Sequence, residues 1–165
     1  MLNGPPREMV HALKYGGWRA LAKPLATRMA GLAFPLDVDE EVRYVVPVPL
    51  SPVRHRQRGY NQSALLAAEV ARIRDLTALP NILLRTRSSE SQTTLHPAER
   101  RANVAGAFSL NTADQPSING EHLLVIDDVW TTGATTSACA ETLIAAGARA
   151  VSVLTFARSL PELDR

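Results

Sequence analysis

The stretch LLVIDDVWTTGATTSACAETLIAAGARAVSVL, residues 123–154, decides the fold. Its first four residues, 123–126, form a short apolar run that ends in two acidic side chains, which is typical of a buried strand. The segment from about Thr135 to Ala146 is predicted to be a helix, and residues 150–157 a second buried strand. Because a strand, a helix and a strand joined by short loops make a βαβ unit, we expect parallel strands. The predicted fold class is α/β, with an open, mainly parallel sheet flanked by helices.

The rest of the chain supplies further elements of the same kind. They are a helical N-terminal segment (1–35), a strand (43–50), a helix (Asn61 to Asp75) and two extended runs (81–85 and 104–110). Two prolines in the strand RYVVPVPL count against that element, because proline is poorly tolerated in a central strand. The length is that of one domain, so we expect a single domain over 1–165 with its core at 43–158.

Periodicity also assigns some individual side chains. On the helix after the acidic pair, Leu143 and Ile144 are predicted to point inward. Trp18 and Phe34 are predicted to pack among the N-terminal helices. Cys139, the single cysteine, is predicted to be a small core residue, and it excludes an internal disulfide framework or a CxxC metal site.

Composition narrows the function classes. The chain is 45% hydrophobic and 21% charged, with a net charge of +2, so bulk charge would not recruit nucleic acid or an anionic membrane. The opening segment has no apolar core of a signal peptide, and no later run has about 18 apolar residues. We therefore expect neither export nor membrane insertion, and a cytoplasmic location. The four histidines show no metal-ligand spacing, so no protein metal site is expected.

The acidic pair Asp127 and Asp128 is followed by TTGAT, residues 131–135. At the carboxyl end of a parallel strand, where open α/β sheets bind ligands, these residues would meet a polar ligand. Free amides, hydroxyls and a helix N-terminus favour a phosphate, whereas carboxylates would repel it and instead accept hydrogen bonds from vicinal sugar hydroxyls. The residues thus point to a ribose 5-phosphate group. The alternative is that the acids cap the loop and the threonines cap the helix.

A basic segment, RHRQRGYNQS, follows the predicted strand at 43–50. Guanidinium groups and free amides at that point suit a pyrophosphate. Two alternatives stay open, a solvated run of charge and a nucleic-acid contact in which Arg54, Arg56 and Arg58 act with Tyr60. Further along, residues 85–100 have almost no apolar content and are predicted to form an exposed loop.

VIDDVWTTGAT resembles the phosphoribosyl pyrophosphate (PRPP) signature of type I phosphoribosyltransferases. LKYGG, VPVPL, RQRGYNQS, RTRSSESQTTL and RRANVAGAF extend this to a resemblance to the ComF (competence protein F) family, a branch of that fold. The resemblance implies that Asp127 and Asp128 bind the ribose hydroxyls and are the candidate catalytic residues. It implies a 5′-phosphate site at Thr131, Thr132, Gly133, Ala134 and Thr135. It also implies that the loop after the first core strand, Ser51 to Gly59, contacts pyrophosphate through Ser51, Arg58 and Gly59. A second loop would close over PRPP with Arg87, Gln92 and Arg100.

The resemblance implies two functions. One is transfer of the phosphoribosyl group from PRPP to an unidentified nitrogen acceptor, with release of pyrophosphate and with Mg²⁺ held mainly through PRPP. The other is a non-catalytic module in DNA uptake that binds nucleotide or single-stranded DNA, with DNA and a DNA-uptake helicase as partners. A homodimer is compatible with both. The sequence departs from related patterns, because it shows neither a glutaminase domain nor the four-cysteine zinc module with which ComF proteins commonly begin.

Overall fold

The computed structural model describes residues 5–86, 106–111 and 118–159. In chain order the elements are α1 (Pro5–Tyr15), a 3₁₀ turn (Arg19–Leu21), α2 (Ala22–Ala30), α3 (Leu36–Glu41), β1 (Val42–Pro47), α4 (Pro52–Arg58), α5 (Gln62–Arg74), β2 (Thr77–Ala78), β3 (Leu83–Arg85), β4 (Phe108–Leu110), β5 (His122–Trp130), α6 (Ala134–Ala145) and β6 (Ala150–Arg158). Within the described ranges, none of the helices combines the length and the apolarity needed to cross a lipid bilayer.

The main sheet has four parallel strands in the order β2-β1-β5-β6. The helix α6 connects β5 to β6, and α5 connects β1 to β2, so both crossovers are βαβ units. The predicted α/β class with an open parallel sheet is therefore confirmed. The short strands β3 and β4 pair antiparallel in a separate ribbon, which places both predicted extended runs outside the main sheet.

The central strand β5 is buried on both faces because its side chains alternate between two apolar clusters. Leu123 and Val125 pack with α6 and the β3/β4 ribbon, whereas Leu124 and Ile126 pack with α2 and α5. Cys139 lies in the first cluster and is fully buried, as predicted. These two layers fix the position of β5, whose last residues carry the acidic pair.

Three predictions of burial are wrong, those for Ile144, Trp18 and the strand at 150–157. Ile144 is 46% exposed, because only one face of α6 meets the sheet and its neighbour Leu143 occupies that face. Trp18 is 65% exposed, since it follows the Gly16-Gly17 break between helices. The strand β6 is partly exposed along its length because, in the described part of the chain, it pairs on one side only.

Candidate functional site

The acidic pair lies just beyond the part of β5 that pairs with β1. The strand β5 pairs with β1 only as far as Ile126, opposite Pro47, but continues beside β6 to Trp130. The strand β5 ends at Trp130, four residues beyond the predicted end of the strand at Ile126. Asp127 and Asp128 therefore belong to the strand itself. They nevertheless extend past the carboxyl end of β1, at the edge of the sheet where open α/β folds bind ligands.

Asp127 is held by two hydrogen bonds. Its Oδ1 accepts from the hydroxyl of Ser63 on α5 and from the backbone N–H of Asp128, both at 2.9 Å. Burial and the neighbouring Asp128 carboxylate raise the pKa of Asp127 to about 6, and the two hydrogen bonds and Lys14 offset part of this rise. The fold thus keeps a carboxylate in a place where its charge is costly, as functional sites often do.

Asp128 is 3% exposed, and only one of its two carboxylate oxygens has a partner among the described residues. Its Oδ1 lies 2.9 Å from the ammonium of Lys14, at the end of α1. Its Oδ2 is buried and has no hydrogen-bond partner among the described residues. Because a buried acceptor without a donor costs about 1–3 kcal/mol, this oxygen is suited to a hydroxyl or other donor of a ligand.

The TTGAT segment forms the turn between β5 and α6. Residues 131–133 make a bend, and Gly133 is the N-cap of α6 with φ 77° and no side-chain capping bond. Thr132 Oγ1 accepts from the N–H of Ala134 at 3.4 Å, a long hydrogen bond. Capping by the threonine hydroxyls is therefore weak, and the first amides of a helix of this length remain suited to an anion.

A cavity of about 300 Å³, the acid cavity, joins these groups. Its lining includes the predicted site residues Arg58, Asp127, Asp128, Thr131 and Thr135. Its other lining residues include Arg54, from the basic segment predicted to suit pyrophosphate. They also include Lys14, Tyr15, Ser63 and Arg85, which were not predicted as site residues. Acceptor oxygens and cations thus line the same cavity. Burial and the neighbouring guanidinium of Arg54 together lower the pKa of Arg85.

Other predicted site residues have roles that backbone geometry explains. Ser51 caps α4 by accepting from the N–H of Arg54, and Gly59 ends α4 with φ 74°. The range Ser51 to Gly59 is therefore mostly a short helix, and the prediction of a loop there is wrong. Ala134 is buried in the apolar core at the start of α6. Arg87, Gln92 and Arg100 lie outside the described residues, so their predicted role in loop closure stays a prediction.

Comparisons with known proteins identify the family. The DNA utilization protein YhgH of Escherichia coli is 32% identical over 94% of this chain and 68% of its own length. Competence protein F of Haemophilus influenzae is 33% identical over 82% of this chain and 57% of its own length. The chain belongs to the ComF family.

A solved structure agrees with this membership at the level of fold. The Bacillus subtilis glutamine PRPP amidotransferase, in complex with ADP and GMP, superposes with a TM-score of 0.53 and 21% identity, over 82% of this chain and 26% of that enzyme. The ComF chain thus has a type I phosphoribosyltransferase fold. No protein-family model matches the sequence.

The raised pKa of Asp127 predicts a gain in stability for Asp127→Asn. A carboxyl with a higher pKa in the folded protein favours folding when protonated and opposes it when ionised above about pH 6. The shift corresponds to about 3 kcal/mol at most, and contact with the solvent-filled cavity reduces this to about 1–2 kcal/mol. We expect the free energy of unfolding of the variant, from urea titrations near pH 8, to exceed that of wild type by about 1–2 kcal/mol. Equal gains near pH 8 and pH 4 would contradict this cause, since the gain should vanish once Asp127 is protonated.

Proposed function

We propose that this ComF chain binds PRPP and transfers its phosphoribosyl group to a nitrogen acceptor. One observation carries the proposal: a buried carboxylate oxygen of Asp128, which has no hydrogen-bond partner among the described residues, lies on the same strand-turn-helix unit as an amide cradle for phosphate. Cations line the same cavity. A sugar with vicinal hydroxyls, a 5′-phosphate and a pyrophosphate presents the matching groups in one molecule.

The ribose would lie on Asp127 and Asp128. Two carboxylates accept from two vicinal hydroxyls, and each charge-assisted hydrogen bond contributes about 1.5–3 kcal/mol. Asp128 Oδ2, which has no donor among the described residues, would gain one from the sugar. Binding would therefore remove the free-energy cost of this unpaired acceptor. The 5′-phosphate would lie on the amides of 131–135, where the dipole of α6 adds roughly 0.3–1 kcal/mol.

The pyrophosphate would lie against the cations of the acid cavity, Arg54, Arg58 and Arg85. Guanidinium groups bind phosphate oxygens in pairs, and they stabilise the charge that grows as pyrophosphate leaves. The donor set also fits Mg²⁺, because the site offers hard carboxylate oxygens beside the expected phosphates, and this ion would be held mainly through PRPP. When bound, Mg²⁺ would neutralise part of the pyrophosphate charge.

The transfer itself needs orientation more than a protein nucleophile. The acceptor nitrogen would form a bond to C1 of the ribose as the bond from C1 to the pyrophosphate oxygen breaks. The bonding electrons leave with pyrophosphate, and the acceptor nitrogen gives its proton to solvent or to the leaving group. The carboxylates of Asp127 and Asp128 would fix the sugar during this exchange.

Thermal melts with and without PRPP and Mg²⁺ test the proposal. At ligand about 100-fold above its Kd, binding should stabilise the protein by about 2.7 kcal/mol, or roughly 5–11 °C. The ligand-induced shift should disappear in Asp127→Asn/Asp128→Asn, measured against that variant's own melt with Mg²⁺ alone. A wild type without a shift, or a shift that survives in the double variant, would contradict the proposal.

A second candidate function, binding of single-stranded DNA, rests on a different observation. Tyr15 and Trp18 are 69% and 65% exposed, Arg58 lies 5.0 Å from the ring centre of Tyr15, and Arg19 follows Trp18 in the sequence. Exposed aromatic rings among cations suit stacked bases and phosphates, and relatives carry the names DNA utilization protein and competence protein F. Binding of a labelled oligonucleotide should then fall steeply with salt and survive Asp127→Asn/Asp128→Asn, whereas PRPP binding should not survive it.

A further inference from the structure

A second cavity adjoins the acid cavity. It has a volume of about 460 Å³, lies between the end of α1 and α4, and is called here the basic cavity. Its lining residues are Lys14, Tyr15, Gly17, Arg54, Gln57, Arg58 and Tyr60. Lys14, Tyr15, Arg54 and Arg58 line both cavities. Ligands in the two cavities would therefore contact the same four side chains.

We infer that the basic cavity binds a planar anion as the second ligand, the acceptor of the phosphoribosyl group. The inference rests on the proposed function for the role of acceptor, but the chemistry of the ligand follows from the lining alone. Within the part of the chain that the structure describes, no carboxylate lines this cavity, whereas three of its lining residues are cations. A negatively charged group is thus the complement that the cavity lacks.

The positive charge of the side chains that line both cavities is only partly neutralised inside the protein. Lys14 pairs with Asp128, and Arg58 donates to the amide oxygen of Gln62, which carries no charge. Arg54 lies near enough to Arg85 to help lower its pKa. Two guanidinium groups held together in this way repel each other, and an anion bound beside them relieves that repulsion.

The aromatic residues of the basic cavity favour a planar ligand. Tyr60 is buried and fixed, because its hydroxyl donates to the carbonyl of Leu13 and Arg19 lies 4.5 Å from its ring centre. Tyr15 is 69% exposed, with Arg58 5.0 Å from its ring centre. An exposed ring at the rim of a cavity offers a stacking surface, which a flat heterocycle uses better than an aliphatic acid does.

A pair of probes that differ only in one carboxylate tests the inference. Orotate is uracil with a carboxylate, so their affinities compare a planar anion with its neutral parent. The protein is first saturated with ribose 5-phosphate, to fill the acid cavity, and each probe is then titrated by calorimetry. We expect orotate to bind about 10-fold tighter than uracil or more, since a carboxylate on a guanidinium is a strong pair.

Gln57 supplies the decisive variants because it is exposed and lines the basic cavity but not the acid cavity. Gln57→Glu should weaken orotate binding about 5- to 10-fold, and Gln57→Lys should strengthen it, with ribose 5-phosphate binding within about 2-fold of wild type in both. Arg56→Gln is the control, because Arg56 is exposed on the same helix, lines neither cavity, and changes the net charge equally.

The outcomes separate the two hypotheses. Equal affinities for orotate and uracil, or orotate binding that ignores both Gln57 variants, would overturn the inference. If wild type does not bind ribose 5-phosphate, the proposed function fails. The same orotate and uracil titrations on the free protein would then still decide whether the basic cavity holds a planar anion.

Discussion

Gly133→Ala is expected to destabilise the protein by about 2–5 kcal/mol and to remove its response to PRPP. Gly133 has φ 77°, a left-handed conformation that costs an L-residue roughly 1–2 kcal/mol. A Cβ at this position would lie 2.5 Å from Cζ2 of Trp130, a contact with a rigid indole ring. Relief of such a contact by shifts of ring or backbone costs about 1–3 kcal/mol more, and it would move the amides of the phosphate turn.

Gly120 is the matched control for this prediction. It has the same φ of 77°, but a Cβ there would meet nothing within 4 Å. Because the backbone strain is equal, the difference in unfolding free energy between Gly120→Ala and Gly133→Ala measures the contact with Trp130. Urea titrations should give Gly133→Ala the larger loss by about 1–3 kcal/mol. Equal losses would mean that Trp130 does not restrict this turn.

The local parts of the fold could be predicted because local patterns determine them. The apolar run of β5, the apolar spacing of α6 and the glycines around it predicted the βαβ unit that the structure shows. The helix α4 was missed, although Ser51 as N-cap, Pro52 in the first turn and Gly59 at the end are ordinary helix boundary signals. The loop was predicted from the family resemblance instead of from these local signals.

The partners of the acidic pair could not be predicted, because they come from distant parts of the chain. Ser63 and Asp127 are 64 residues apart, and only the packing of α5 against β5 brings them together. The LKYGG block contains Lys14 and Tyr15, but periodicity assigns them only to a helix end. A tyrosine directly before a glycine pair was a signal in the sequence, yet nothing local links Tyr15 to Asp128.

Lys14→Met is expected to destabilise the protein by about 2–3 kcal/mol. The ammonium of Lys14 lies 2.9 Å from Asp128 Oδ1, and the two side chains are 24% and 4% exposed. Methionine keeps the length of the side chain and removes its charge, so Asp128 would lose its ion-pair partner while its other oxygen already has no partner among the described residues. Removing one member of a buried pair costs about 3–5 kcal/mol, and access of water through the cavity reduces this figure.

A double-mutant cycle separates the pair from other contributions. Lys14→Met/Asp128→Asn should recover to within about 1 kcal/mol of Asp128→Asn alone, since no buried charge is then left unpaired. The exposed pair of Arg72 and Glu69, 3.0 Å apart on α5, is the control, and its cycle should give about 0.5 kcal/mol or less. If the Lys14 cycle gave as little as the control, Lys14 would be a surface cation near the site. A large coupling would mean that the N-terminal helix completes the acid cavity, because Lys14 near its end holds the carboxylate of Asp128 in place.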